Sequence, residues 1–536
     1  TPTTEIYTNT ESSAASDVYK RQKHRVAKYG HPLFLVPADK PKLSRFIAFF
    51  VGSATTLAFA PFGWSLLAPL LLLPLLYVCL TVAPRDAAGH TFWYGFGLFL
   101  TGTYWIYISV HVFGNAALWI AILLMVGLAL IMAFFLSLAG WLISRLSQGE
   151  PWLLVLVAPG SWVLIEWLRG WALTGFPWMA LGYGQIDTAY AGWAPVLGVY
   201  GVSFMLVLSA AAAIAALLAE TPRGRIIGVT FVLLPWLAGG LLSLVEWTEP
   251  SGKAVRSSIV QAGVSQDKKW EREYRGPIME HFLSATLSVA DSEIVLWPEV
   301  AIPALDDQVE PFIGNLEEVA RANNQTVLFG ILERSYERDV DGRIFNSVML
   351  VGAEERQVYR KRHLVPFGEY FPVPPSVREW MKMQNLPHSD LAAGEDVQPL
   401  LTAANGIQFG VAICYEDAYG TEQLYALPAA GILINVSNDA WFGDSIAPHQ
   451  HLEIARMRSL EFGRPAIRAA NTGISAFIGA GGELLQVGKQ FEPELMTMDV
   501  QPHRGATPYV RGGNWPIIGL SLLILGFFWI RNRASL

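Results

Sequence analysis

From Leu43 to Glu246 the chain runs for 204 residues with only six basic and six acidic side chains. Runs of about 20 mainly apolar residues recur through it, the length a helix needs to cross a bilayer core. Such a stretch cannot close into a water-soluble globule, because lipid satisfies no backbone hydrogen bond and therefore admits only helices or closed barrels. Seven spans are expected here, at about 43–60, 62–82, 91–113, 116–146, 152–168, 193–218 and 226–245, with an eighth at 515–530. The fourth is long enough to be tilted or re-entrant, and Pro159 stands where it would kink the fifth. The other charges of the chain, which totals 38 Lys and Arg against 45 Asp and Glu, fall outside this region. A net charge of -7 gives a nucleic-acid partner no electrostatic footing.

Basic residues are retained on the cytoplasmic side. Lys20, Arg21, Lys23, Arg25, Lys28, Lys40 and Lys42 precede the first span, and Arg85, Arg145, Arg223 and Arg225 fall in every second loop after it. Arg531 and Arg533 follow the last. Both termini are therefore expected inside, and everything between the seventh and eighth spans outside, which in a bacterium is the periplasmic face of the inner membrane. The expected organisation is a polar tail (1–42) with no secretory core, seven helices (43–246), an extracytoplasmic domain (249–513), and an eighth helix with a cytoplasmic end (514–536). Only two cysteines exist, Cys79 in an apolar run and Cys414 in the outer domain, so no disulfide framework is available.

Within the outer domain, β-branched runs at 257–261, 293–297, 326–331, 347–351, 407–413, 431–436 and 474–478 alternate with helical stretches at 280–290, 313–323 and 448–462. Alternation of this kind favours layered α/β structure. There is no glycine-rich phosphate loop and no cluster with zinc spacing, so no cofactor and no metal are expected. His449 and His451, two residues apart, point to different faces of a helix and are read as capping or surface residues.

Four segments carry chemistry. Ile294-Val295-Leu296-Trp297-Pro298-Glu299 is an apolar strand stopped by a proline, which delivers Glu299 to a strand end. Lys361 lies in a basic cluster, Tyr359-Arg360-Lys361-Arg362-His363, followed by a loop ending in Glu369. Gly410-Val411-Ala412-Ile413-Cys414-Tyr415-Glu416 is a buried strand closing on a thiol, a pattern similar to a nucleophile elbow. A fourth strand, 433–436, runs into Asn438-Asp439-Ala440-Trp441-Phe442-Gly443-Asp444. Each feature alone has an ordinary structural explanation, since a lone cysteine is commonly a small buried hydrophobe. Together they supply what thiol catalysis requires: a nucleophile, a base in Glu299 and a cation in Lys361.

These Glu, Lys and Cys segments resemble the signatures of the nitrilase superfamily, whose fold is an αββα sandwich. With the spans around it, the chain from about 43 to 533 resembles the apolipoprotein N-acyltransferase family, as do 438–444 and Arg456-Met457-Arg458. The resemblance implies an acyltransferase of bacterial lipoprotein maturation. An acyl chain would leave the sn-1 position of a phospholipid, usually phosphatidylethanolamine, form a thioester on Cys414, and pass to the α-amine of a diacylglyceryl-cysteine apolipoprotein. Glu299 is then the general base, and Lys361 with the Tyr415 N–H stabilises the oxyanion. Glu369 and Glu416 either orient Lys361 or simply stabilise the fold, and Trp441 and Phe442 either line the mouth where acyl chains enter or are ordinary packing. Two other readings stand beside this one: a membrane-anchored nitrilase-type amidase, and a transporter with a noncatalytic outer domain. Against transport, Glu166 is the one acidic residue well inside an expected span.

Overall fold

The computed structural model describes residues 40–337, 342–370, 379 and 391–534. The expected polar tail, with five of the seven basic residues counted before the first span, lies outside the described residues from 1 to 39. Helices occupy all eight expected positions. Five are long and apolar enough to cross a membrane: Leu118–Ser147, Pro151–Arg169, Ala189–Leu217, Pro222–Leu242 and Trp515–Arg533. A sixth is possible if Pro84–Gly102 and Trp105–Phe113, bent by 50° where they meet, count as one span. The first two expected spans are instead 15-residue helices, Pro41–Thr55 and Leu67–Thr81. At 1.5 Å per residue each covers only about 22 Å, short of a full crossing at right angles.

The fourth stretch holds no re-entrant break. Leu118–Ser147 is one unbroken 30-residue helix, and Pro151–Arg169 runs through Pro159. The bend falls in the third stretch, next to the α/β domain. Large apolar side chains such as Ile226, Leu237 and Leu241 remain exposed on the bundle, an apolar exterior suited to lipid rather than water.

The α/β domain has two sheets face to face. One runs in the order Glu494–Val500, Val255–Gln261, Ile294–Leu296, Thr326–Arg334, Ile344–Val351, Gln357–Arg360, with Ile302–Leu305 also paired to Thr326–Arg334. The other is Leu484–Val487, Ala476–Ile478, Ala466–Ala470, Ile432–Ser437, Gln408–Ile413, Leu401–Thr402. The central strands of each are parallel, as 255–261, 294–296 and 326–334 are in the first and 408–413, 432–437 and 466–470 in the second. Parallel strands are buried on both faces, which accounts for the apolar runs at 294–296, 327–332, 409–413 and 432–434. Ile259, Leu296, Leu328, Val411, Ile434 and Ile467 fill the space between the sheets. Outside the first sheet pack helices Arg272–Ser288 and Glu310–Ala322, and outside the second packs Ala447–Phe462. The result is an αββα sandwich.

The two crossings between bundle and domain are structured. Thr248–Pro250 pairs antiparallel with His503–Gly505, and Pro508–Gly512 is a short helix, so both crossings between bundle and domain are clamped side by side. A second connection matters more for function: helix Ala447–Phe462 lies directly on the bundle. Its Gln450 accepts from the indole N–H groups of Trp105 and Trp178 and donates to the Gly102 carbonyl. Glu453 accepts from the Ala60 N–H, and Glu461 from the Val199 N–H at 2.6 Å. That last contact sits where Gly198 breaks its helix with φ +69°; a side chain there would strike the Tyr509 ring. The apolar core of the bundle continues into Ala418, Tyr419, Ile454 and Met457 of the domain. Bundle and domain are thus packed as one body.

Candidate active site

In α/β sheets the carboxyl ends of parallel strands are where side chains converge on a ligand. Glu299 follows Ile294–Leu296, Lys361 follows Gln357–Arg360, and Cys414 follows Gln408–Ile413. The sandwich brings all three together. Lys361 is buried, with Nζ 2.9 Å from Glu369 Oε1 and 3.5 Å from Glu299 Oε1. Burial pulls the lysine pKa down, but Glu369 and Glu299 more than offset this and hold it above its ordinary value. Lys361 is a fixed cation.

Cys414 stands at φ +52°, in the left-handed region that non-glycine residues seldom occupy. The strand ends and a 3₁₀ turn, Cys414–Ala418, begins at the same residue, so the expected elbow is present. Burial pushes the Cys414 thiol well above its usual range; the Glu299 carboxylate adds to the effect and Lys361 opposes it. The resting thiol is therefore protonated and needs a base to become a nucleophile.

Pro298, Glu299 and Val300 make the bend that presents the Glu299 carboxylate, with Val300 at φ +45°. The bend is pressed against Gly330, where a Cβ would come within 2.4 Å of the Val300 nitrogen. Only glycine fits there. Buried Lys269 donates to the Glu299 carbonyl at 3.2 Å, and burial pulls its pKa down to about 8, with Glu299 opposing.

Glu369 and Glu416 take different parts. Glu369 holds Lys361 through Oε1 and accepts from the Val365 N–H through Oε2. Glu416 makes no direct bond to Lys361. Its carboxylate gathers the N–H groups of Ile413, Arg362 and His363 and the Tyr359 hydroxyl, tying the lysine loop to the cysteine elbow. Burial raises its pKa, and those N–H groups and Lys361 work against the rise. Phe442 packs edge-on to Trp105, with ring centroids 4.7 Å apart, and the partly exposed Trp441 lies beside Phe113 at 6.4 Å. Both aromatics sit where the domain meets the bent helix pair of the bundle.

Sequence reasoning missed two groups. Asn346, inside the Ile344–Val351 strand, donates from one amide nitrogen to Glu299 Oε1 at 2.7 Å and to Glu369 Oε1 at 2.9 Å. It spaces the two carboxylates around the lysine, and its only signal was a polar pair, Asn346-Ser347, within an otherwise apolar strand. The second is His451, which is buried and is neither a cap nor a surface residue. Its Nδ1 lies 2.8 Å from Asp439 Oδ1 and its Nε2 3.0 Å from the Cys414 carbonyl. His449 is half-buried and is not part of this network.

Cys414, Asp439 and His451 offer a sulfur, an oxygen and a nitrogen within 4.8 Å of one another, a donor set that in other settings holds a metal. Here Arg468 Nη2 donates to Asp439 Oδ2 at 2.9 Å. Its fixed positive charge already satisfies the carboxylate and repels a cation, so these residues do not fit a metal. Burial works against ionisation of Asp439, yet His451 and Arg468 hold its carboxyl below the ordinary range.

The bundle supplies one wall. Buried Arg169 donates to the Phe176 and Trp178 carbonyls, and Glu166 accepts from the Trp162 indole and the Leu181 N–H. These bonds shape the loop after Arg169, whose Trp178 stacks on Tyr415 at 6.3 Å while the Gly175 carbonyl accepts from the Tyr415 hydroxyl. Glu166 thus anchors a loop rather than lining a transport path.

Comparison with known proteins matches this division. Residues 51–212 match the family described as apolipoprotein N-acyltransferase N-terminal domain, and residues 257–509 match carbon-nitrogen hydrolase. The chain is 40% identical to the apolipoprotein N-acyltransferase of Methylococcus capsulatus over 480 residues, covering 89% of this chain and 94% of that protein. Proteins of the same description from Photobacterium profundum (37%, covering 90% and 94%) and Azotobacter vinelandii (40%, covering 91% and 95%) are similarly close. Among solved structures, a nitrilase-superfamily amidase from Nesterenkonia AN1 aligns with 49% of this chain and 95% of its own, at 18% identity and a TM-score of 0.35.

Proposed function

Since this chain belongs to the apolipoprotein N-acyltransferase family, we propose that its reaction runs through an acyl thioester on Cys414, with Glu299 as base and Lys361 as fixed cation. The carrying observation is the arrangement around Lys361: an obligate cation held by two carboxylates beside a protonated thiol at a strand-end elbow. In the first half, Glu299 takes the thiol proton as sulfur attacks the ester carbonyl of a phospholipid. Lys361 and the Tyr415 N–H stabilise the tetrahedral oxyanion, and Glu299 returns the proton to the departing lyso-phospholipid alkoxide. In the second half the free α-amine of the diacylglyceryl-cysteine attacks the thioester. Glu299 accepts a proton from the nitrogen, the amide forms as the C–S bond breaks, and Glu299 returns the proton to the departing Cys414 thiolate.

Phosphatidylethanolamine is the proposed donor, and the outer face of the inner membrane the proposed location. Supporting the location, Arg85, Arg145, Arg223, Arg225, Arg531 and Arg533 all lie in turns or helix ends away from the domain, the arrangement expected when that end is cytoplasmic. Supporting a lipid donor, the site abuts the bundle through Trp178, Trp105 and Phe442. An acyl chain costs about 0.8 kcal/mol per CH₂ to bring into water, so a site reached from the bilayer is needed. The eight-span topology and Trp441 and Phe442 as the acyl-chain mouth belong to the same proposal.

Kinetics test it. With phospholipid alone, one equivalent of lyso-phospholipid is expected as a burst, and later addition of diacylglyceryl peptide discharges the enzyme. Lyso-phospholipid released only in the presence of peptide would mean direct transfer in a ternary complex.

A further inference from the structure

His451 has no task in the scheme above, yet it is buried against the main chain of the nucleophile. A carbonyl oxygen can only accept, so the 3.0 Å contact between His451 Nε2 and the Cys414 oxygen requires the proton on Nε2. A nitrogen committed in this way cannot also take the thiol proton. What it can do follows from peptide geometry. The Cys414 carbonyl and the Tyr415 N–H are the two ends of one planar trans unit and point in opposite directions. Fixing the oxygen therefore aims the N–H, and a hydrogen bond accepted at the oxygen makes that N–H a stronger donor.

We infer that His451 is a positioning residue that orients and polarises the Cys414–Tyr415 peptide, so that the Tyr415 N–H meets the oxyanion of both half-reactions. The inference rests on the acyl-transfer reading given above. Two further observations carry it. The elbow at Cys414 has φ +52°, a conformation an L residue keeps only when its surroundings impose it, and the His451 bond is such a constraint. The ring is itself locked: Nδ1 faces Asp439, Asp439 is held by Arg468, and the Trp178 ring of the bundle lies 5.6 Å from the imidazole. A line of contacts therefore runs from the membrane loop through His451 to the oxyanion peptide.

The full-length enzyme in phospholipid-detergent micelles tests this by two rates. His451→Ala is expected to slow the lyso-phospholipid burst by at least about 10-fold, a part of the roughly 10²- to 10³-fold lost when an oxyanion donor is removed outright. Alkylation of Cys414 by iodoacetamide builds no oxyanion and should stay within about twofold of the parent. His451→Gln, which keeps an N–H near the Nε2 position, should recover most of the burst rate. If His451→Ala melts early, His451→Leu, which fills the space, takes its place. A burst at the parent rate in the donor-less variant overturns the inference. So does His451→Gln remaining as slow as His451→Ala while melting like the parent, or alkylation and acylation falling together in a variant that melts like the parent, which would place the ring on the thiol. A parent enzyme without any burst would instead remove the thioester reading itself.

Discussion

Replacing Lys361 by methionine keeps the length of the side chain and removes its charge. Lys361 is 1% exposed, and its partners Glu299 and Glu369 are 8% and 14% exposed, so solvent can do little to screen what remains. Both carboxylates accept from the same Asn346 amide nitrogen, at 2.7 and 2.9 Å, which sets their oxygens roughly 5 Å apart. At an effective dielectric constant of about 20, two like charges at that distance repel by about 3 kcal/mol. That agrees with the roughly 3–5 kcal/mol lost when one partner of a buried ion pair is deleted. Lys361→Met should therefore melt several degrees below the parent, at roughly 2–4 °C per kcal/mol for a domain of this size. Adding Glu369→Gln removes the repulsion and should recover most of the melting temperature but none of the activity, because no cation remains for the thiolate and the oxyanion. The assay pairs thermal unfolding with lyso-phospholipid release in the parent, both single variants and the double variant. If Lys361→Met melts like the parent, or Glu369→Gln fails to rescue it, the lysine is not what neutralises this pair.

Gly330→Ala should displace the Pro298–Val300 bend and slow acylation by about 10²-fold, the loss typical of a misplaced base; an unchanged burst would show that the bend does not position Glu299. Burial pushes Glu453, which bonds the Ala60 N–H, up to about 8. A carboxyl raised in the folded state binds more protons there than in the unfolded chain, so it costs stability progressively from about pH 4.5 to 8. Glu453→Gln should accordingly raise the melting temperature at pH 8 relative to parent more than at pH 5, and a gain independent of pH would contradict the assignment. For topology, a cysteine at Lys253 should react with a membrane-impermeant maleimide in intact cells while one at Arg223 should not; the reverse pattern would invert the orientation.

The parts of the site that were legible in the sequence are those set by local rules. Pro298 ends a strand and so announces Glu299; an apolar run closing on Cys414 announces an elbow. The strands at 255–261, 326–334, 408–413 and 432–437 showed themselves as β-branched runs. Ala466–Ala470 did not, because Arg468 interrupts it, and a fully buried arginine is rare enough that a charged residue argues against a core strand. His451 was misread for the same reason: on base rates a helical histidine near a proline is exposed, and its partners Asp439, Arg468 and the Cys414 carbonyl come from three other segments. The docking of Ala447–Phe462 on the bundle was equally invisible, since its buried Gln450, Glu453, Arg458 and Glu461 look like a solvated face until their partners in the membrane part are known. The lengths of the first two helices were not legible, because composition sums apolar residues across the turns at 56–66 and hides two 15-residue helices.

The covalent role of Cys414 is tested most directly by intact mass. The full-length enzyme is incubated with a phospholipid of defined acyl chains and no peptide, then measured whole and after digestion. One acyl mass, located on the peptide carrying Cys414, removed by hydroxylamine and absent from Cys414→Ala, is the expected result. An enzyme that releases lyso-phospholipid yet keeps its unmodified mass, or a Cys414→Ala variant that still carries the adduct, would contradict the assignment of Cys414 as the acylated nucleophile.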